Sequence, residues 1–228
     1  MRYLIALTLV FILFPPNVSK ADSDYFHWVA NSPDFALHLS STETDVRYND
    51  TQTPDALEWA QVKVSVAERI LPGVKLRLHG SLLGADQDDR EASRGLDLTG
   101  YGYGVNMEFN LTFATFLTLE VLGGVTYFST EDRIQDRQAE LDWLHWESTL
   151  GMRLSYSPLA VRVGVHHQEI DGEEEAFGAT LTDVEFEEAD TQSAYLGFEF
   201  QTDKTGYVGL TAYTDPFRKI EVTLQRRF

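Results

Sequence analysis

The 228-residue chain contains no cysteine, so a disulfide framework, a thiolate metal site and a thiol redox centre are all excluded. Long apolar runs are nearly as scarce. Only Leu4 to Phe14, relieved by Thr8, is continuous, and it falls short of the ~20 residues that a spanning helix needs. Basic residues are few: 18 Lys and Arg stand against 36 Asp and Glu, for a net charge of −18. Such a chain repels nucleic acid and anionic surfaces unless divalent cations intervene. Sustained helical periodicity with caps is missing as well, which leaves an all-β chain that is either soluble or crosses a membrane as a barrel.

What is present begins with an address. Arg2, the apolar run, Pro15-Pro16 and the small residues Ser19 and Ala21 form the n-region, h-region and cleavage site of a secretory signal. Residues 1–21 are therefore expected to be removed, and the absent cysteine excludes a lipid anchor at that site. Loss of Arg2 and Lys20 leaves 16 basic residues against 36 acidic, or −20.

The dominant signal is alternation with period two, the mark of a strand with unlike faces. From Thr99 to Phe113 the odd positions are Thr, Tyr, Tyr, Val, Met, Phe, Leu and Phe, while the even ones are Gly, Asn, Glu and Thr. The pattern recurs and predicts ten strands, at about 35–47, 57–70, 73–84, 99–113, 116–129, 142–156, 159–170, 191–203, 205–214 and 217–228, with eight as the alternative count. Tight turns at Leu71-Pro72-Gly73, Ala114-Thr115, Ser157-Pro158 and Asp203-Lys204 alternate with longer polar links at 48–56, 85–98, 130–141 and 171–190. Short turns on one side, long loops on the other and an even strand count describe an antiparallel transmembrane up-and-down β-barrel. A soluble sandwich also alternates, but it turns its apolar face inward and a charged face outward. The organisation expected is a signal peptide at 1–21, a short periplasmic segment at 22–34 and a barrel at 35–228.

The last segment, Ile220-Glu221-Val222-Thr223-Leu224-Gln225-Arg226-Arg227-Phe228, alternates until it ends on an aromatic residue. It resembles the C-terminal signal strand of Gram-negative outer-membrane β-barrel proteins. Ile220, Val222, Leu224 and Phe228 fit that pattern; Arg226 departs from it, although a long basic chain near an interface can snorkel to headgroups. The resemblance implies a bacterial outer-membrane location, recognition by the barrel-assembly machinery, and outer-membrane lipids and lipopolysaccharide as neighbours. It does not settle activity, because that superfamily includes channels, structural proteins, adhesins, proteases and lipid-A-modifying enzymes.

The inward parity carries Lys63, Lys75, Arg77, Arg153, Arg162 and Lys219 together with Glu108, Glu120, Glu147, Glu199 and Glu221. Near-balance of charge in a narrow lumen reads as a paired network that plugs it, with a selectivity-setting pore lining as the alternative. Gly100, Gly102 and Gly104 make room there for large opposing side chains. His38 and Ser40 share a face, a spacing similar to that of outer-membrane lipid-A deacylases, whose fuller motif is not found. His166 and His167 point to opposite faces, and an inward His166 could join His145 and Glu147 in a hydrogen-bonded or proton-relay cluster. Omptin-type proteases are also ten-stranded, but the chain reads as too short for their high wall, and their motifs are absent.

Residues 171–190 form the most acidic link. Asp171, Glu173, Glu174 and Glu175 are its weak candidates for Ca²⁺ or Mg²⁺, since carboxylates are hard oxygen ligands, although no EF-hand spacing occurs. Thr180 to Phe186 still alternates, which suggests a projecting hairpin. Tyr101, Tyr103, Tyr127, Trp146, Phe109, Phe113, Tyr156 and Phe228 fall where interfacial girdles do. Trp59 and Trp143 fall on the inward parity without an evident role. The sum is a non-enzymatic outer-membrane barrel with a structural or surface-interaction role and no cofactor. A small diffusion channel is the alternative, and an outer-membrane lipid-modifying enzyme the third reading.

Overall fold

The computed structural model describes residues 33–50, 54–87, 93–134, 136–177, 182–189 and 191–227. The signal segment and Phe228 lie outside the described residues. Eleven strands form one sheet: β1 (Asp34–Tyr48), β2 (Asp55–Leu71), β3 (Val74–Asp86), β4 (Leu98–Ala114), β5 (Leu117–Ile134), β6 (Arg137–Tyr156), β7 (Leu159–Phe177), β8 (Thr182–Glu188), β9 (Gln192–Gln201), β10 (Gly206–Tyr213) and β11 (Arg218–Arg227). All pairings are antiparallel, and β1 closes the ring by pairing with β11 from Asp34↔Arg227 to Glu43↔Arg218. The architecture is a closed up-and-down barrel, with no helix among the described residues.

Two counts coexist in it. Toward the tight turns the ring is β1-β2-β3-β4-β5-β6-β7-β9-β10-β11, which is ten strands. Toward the long links it is β1 to β8, because β8 pairs with β7 on one side and with Val46–Tyr48 of β1 on the other. The hairpin β10–β11 is a wedge that enters only the ten-stranded part. Strand β9 meets the tip of this wedge where Thr214 N donates to Ala194 O at 2.9 Å. The ten expected strands are those of the ring at the tight-turn end, and β8, which closes the other end, lies in the segment 171–190 expected as a link.

The two parts bury opposite things. In the ten-stranded part the outward residues are apolar and exposed, among them Leu82 (72 %), Ile220 (60 %) and Val165 (58 %). No water-soluble barrel exposes apolar side chains on every strand, so this is a lipid-facing band. Tyr101, Tyr103, Tyr127 and Trp146 fall toward its loop end; Phe109, Phe113 and Tyr156 fall toward its turn end. Along the same strands the outward residues then become Glu43, Glu58, Asp86, Asp97, Glu131 and Glu140, while the interior becomes apolar: Val46, Leu57, Trp59, Leu83, Leu98, Phe128, Leu141, Trp143, Ile170 and Phe186. The eight-stranded part is thus built like a soluble barrel.

Three expectations are corrected here. The links at 130–141 and 171–190 are largely strand: β5 runs to Ile134, β6 starts at Arg137, and β7 and β8 occupy most of the last link, whereas 48–56 and 85–98 join β1 to β2 and β3 to β4. The chain is not too short for a high wall, since β6 has 20 residues against the ~9–11 that cross a bilayer. Trp59 and Trp143 have a role: they close the interior. At the turn end, Gly73 (φ 79°) supplies the left-handed residue between β2 and β3.

Candidate functional site: a closed lumen in layers

From the turn end upward the lumen is a stack of paired charges. Asp34 accepts from Lys75 Nζ at 2.5 Å and from Arg227 Nε at 2.8 Å. Arg77 Nε donates to Glu108 Oε1 at 2.6 Å. Arg162 Nε donates to Glu120 Oε2 at 2.7 Å, and Glu199 bridges Arg153 Nη2 at 2.6 Å and Arg162 Nη1 at 3.6 Å. Asp34 and Arg227 face each other at matched register on β1 and β11, Arg77–Glu108 and Arg162–Glu199 are diagonal pairs on neighbouring strands, and Lys75–Asp34, Arg162–Glu120 and Arg153–Glu199 reach across an intervening strand. Asp34 and Arg227 belong to this network and were not singled out from the sequence; their inward parity at the ring closure was the available signal.

The middle layer gathers Lys63, Lys219, Glu221, Glu147 and four histidines. Lys219 Nζ lies 3.2 Å from Glu221 Oε2, and Lys63 Nζ lies 3.9 Å from the same oxygen. Asn106 Nδ2 donates to Glu147 Oε1 at 2.8 Å. His38 Nδ1 is 3.2 Å from Glu221 Oε1 and its Nε2 is 3.2 Å from Ser65 Oγ. This is the order of a nucleophile, base and acid. Ser65 is only 2 % exposed, however, so no substrate reaches it, and its oxygen accepts from Arg77 Nη1 at 2.9 Å, which takes up one of its two lone pairs. The pairing of His38 with Ser40 suggested by spacing is replaced by this contact with Ser65.

Above it, His145 Nε2 and His166 Nε2 approach Gln168 Oε1 at 3.1 and 3.3 Å. Gln168 in turn donates to Glu188 Oε1, to which Thr44 Oγ1 also donates at 2.7 Å. This chain of hydrogen bonds ties β6 and β7 to the joint between β8 and β1. His79 Nε2 lies 2.9 Å from Thr126 Oγ1. Then come the rings: Phe128 stacks on Trp143 (centroids 5.0 Å), Trp59 meets Trp143 edge-on (6.1 Å), and Phe217 stacks on His166 (5.3 Å). Gly102 is required here, since a Cβ would lie 2.5 Å from the Phe128 ring and 2.7 Å from Ser81 Oγ. The apolar cluster of the eight-stranded part follows directly.

Outside the lumen, Ile220, Val222 and Leu224 face outward on β11, while Arg226 reaches Asp203 at 3.6 Å. Asp203 Oδ1 accepts from the Thr205 and Gly206 amides at 2.7 and 2.8 Å, and these bonds hold its carboxyl below the usual carboxylate range. Asp171, Glu173, Glu174 and Glu175 lie not on a loop but on β7. Glu174 points inward and is fully buried; the other three point outward and face Glu187, Glu185 and Asp183 on β8. Alternation keeps the four from converging, and no group of three or more His, Asp or Glu among the described residues is placed to hold a metal. Burial and the neighbours Asp142, Glu131 and Glu175 raise the carboxyl of Glu140 on this acidic wall.

No family model and no curated protein matches the chain. Among solved structures, the outer membrane protease OmpT from Escherichia coli aligns over 86 % of this chain and 96 % of its own, with a TM-score of 0.49 at 10 % identity. An outer membrane channel from Pseudomonas putida F1 aligns over 92 % and 100 %, with a TM-score of 0.47 at 10 % identity. Neisserial surface protein A aligns over 85 % and 97 %, with a TM-score of 0.44 at 6 % identity. These proteins are a protease, a channel and a surface protein, and no activity is carried over from any of them.

Proposed function

We propose that the chain is a bacterial outer-membrane barrel with a structural or surface-interaction role, a closed pedestal that raises an acidic, soluble-type barrel above the membrane surface. The observation that carries this reading is the apolar cluster crowned on the aromatic lid of Trp59, Phe128, Trp143 and Phe217, each at most 3 % exposed. A pore needs a continuous hydrated path, and a dry layer packed from every strand of the eight-stranded ring opposes one. The lipid-facing band supports the membrane location, with outer-leaflet lipid and lipopolysaccharide as neighbours and the assembly machinery as the partner in biogenesis.

Planar-bilayer recording of the purified protein tests the reading. The wild type is expected to give no stepwise conductance, whereas a variant combining Trp59→Ala, Phe128→Ala and Trp143→Ala is expected to leak. Stable unitary conductance from the wild type would overturn the pedestal and favour the small channel, whose lining would be the paired charges below the lid. The same reading gives the outer wall a diffuse affinity for Ca²⁺ or Mg²⁺ beside lipopolysaccharide. Calorimetric titration tests that part, and it fails if reversing Asp171, Glu173 and Glu175 to Lys leaves the heat unchanged.

A further inference from the structure

Several buried polar atoms of the lumen lack a hydrogen-bond partner, and five of them cluster in one patch on the adjacent strands β1, β2 and β3. Ser40 Oγ on β1, Gln61 Oε1 on β2 and Ser81 Oγ on β3 are buried without a hydrogen-bond partner, and Thr42 Oγ1 and Trp59 Nε1 lie one step nearer the lid in the same condition. All five residues are at most 8 % exposed. Register brings them together: Ser40 is opposite Gln61, Thr42 is opposite Trp59, and Lys63 stands between His38 and Ser81. Lys63 is the inward residue of β2 next below Gln61, in register with Ser81. Its ammonium is 3.9 Å from Glu221 Oε2, beyond hydrogen-bond distance, and that is its shortest carboxylate contact among the described residues. Buried polar groups are nearly always satisfied, and a buried ammonium needs acceptors more than any neutral group does.

The unmet groups are rich in donors: the ammonium of Lys63, an indole N–H and three hydroxyls. The one obligate acceptor belongs to Gln61, whose amide can present either its oxygen or its nitrogen. The nearby carboxylates do not fill the need. Glu221 is engaged by Lys219 and His38, and Glu147 by Asn106. Space is limited because the Phe128 ring lies over Gly102, opposite Ser81. We propose that Lys63, Ser40, Gln61 and Ser81 form an internal site for one small inorganic anion of halide size, enclosed between the lower charge pairs and the aromatic lid. The proposal does not depend on the pedestal reading, since a closed or a conducting barrel can hold such an ion.

Crystals of the full mature protein grown with bromide in place of chloride test it. An anomalous peak in contact with Lys63 Nζ is expected, and it should vanish in Lys63→Met. In solution, the midpoint of thermal unfolding should rise when gluconate is exchanged for bromide at fixed ionic strength, and Lys63→Met should lose that rise. If Lys63→Met fails to assemble, Ser40→Ala with Ser81→Ala removes two donors and no charge, and should weaken the bromide peak. Ordered water alone at the patch, or a halide effect that survives these substitutions, overturns the proposal.

Discussion

The ten-stranded and eight-stranded parts share seven strands and obey one alternation, yet they are built inside out relative to each other. In the first, lipid takes the apolar residues and the lumen takes charges that satisfy one another. In the second, water takes the charges and the lumen takes the rings. Strand β2 shows the switch within six residues: Leu57 and Trp59 point inward, and Val62 points outward. No bulge is needed there, because only the hydrophobic phase changes and the backbone parity does not. A strand therefore does not choose which face is apolar; the medium outside it does.

Substitutions in the lid, on the two outer surfaces, in the lower lumen and on the acidic wall test that contrast. The largest effect is expected at the lid. Trp143→Ala leaves a cavity among packed rings and should cost about 3–5 kcal/mol in urea unfolding from detergent micelles. A loss below about 1 kcal/mol would mean that the upper interior is not the packed core described here.

Next comes one substitution type made on both outer surfaces. Val163→Arg puts a charge on the lipid-facing band and should cost about 2–4 kcal/mol when unfolding is measured from bilayers. Glu173→Arg puts it on the acidic wall opposite Glu185, where a small gain is expected, within about 0.5 kcal/mol. Equal costs at the two sites would erase the boundary between the parts.

In the lower lumen, Glu199→Gln leaves Arg153 and Arg162 with less compensation. Buried pairs cost several kcal/mol to break, but Arg153 is about a third exposed and Arg162 keeps Glu120, so about 2 kcal/mol is expected. A simultaneous change of Arg153 to Met should recover part of it.

The smallest effect concerns acid. The carboxyl of Glu140 is raised from its ordinary 4.5 by burial and by its acidic neighbours. The folded state therefore holds its proton more tightly than the unfolded chain does. Its contribution to stability is full below the unfolded value and disappears as pH rises through the folded one. Amide exchange on β6 near Glu140 should slow as pH is lowered from 7 toward 5, after correction for intrinsic rates. Glu140→Gln should flatten that dependence, and a dependence of opposite sign would show that the neighbouring carboxylates do not act on it.

Much of the membrane part was legible in the sequence because lipid imposes a strong pattern. The even positions of β4 are Gly, Asn, Glu and Thr over its full apolar stretch, and a long strand with a small polar inner face and an unbroken apolar outer face suits a barrel in lipid. The lumen residues could be assigned to a face for the same reason, since parity fixes direction. Their partners could not be assigned. Arg162 meets Glu120 across 42 positions in the chain, and His38 meets Ser65 rather than Ser40 two residues away. Pairing depends on register and on the tilt of the strands, and alternation carries neither. The outer stretches of β5 to β8 were misread as loops because a polar outward face with short apolar stretches inside resembles polar linker. The phase jumps at Trp59–Val62 and Trp143–Leu144 were the available clue.

Composition and alternation make the chain all-β, deny it thiol chemistry and set which side chains face in and which face out. Each of these follows from composition or from a period of two, which are local properties. Register and ring closure made ten strands become eight, made β10–β11 a wedge, and packed rings from three strands and the β10–β11 turn across the lumen. Those outcomes depend on which segments meet, and that is settled by closing the ring and filling its interior, not by any one strand.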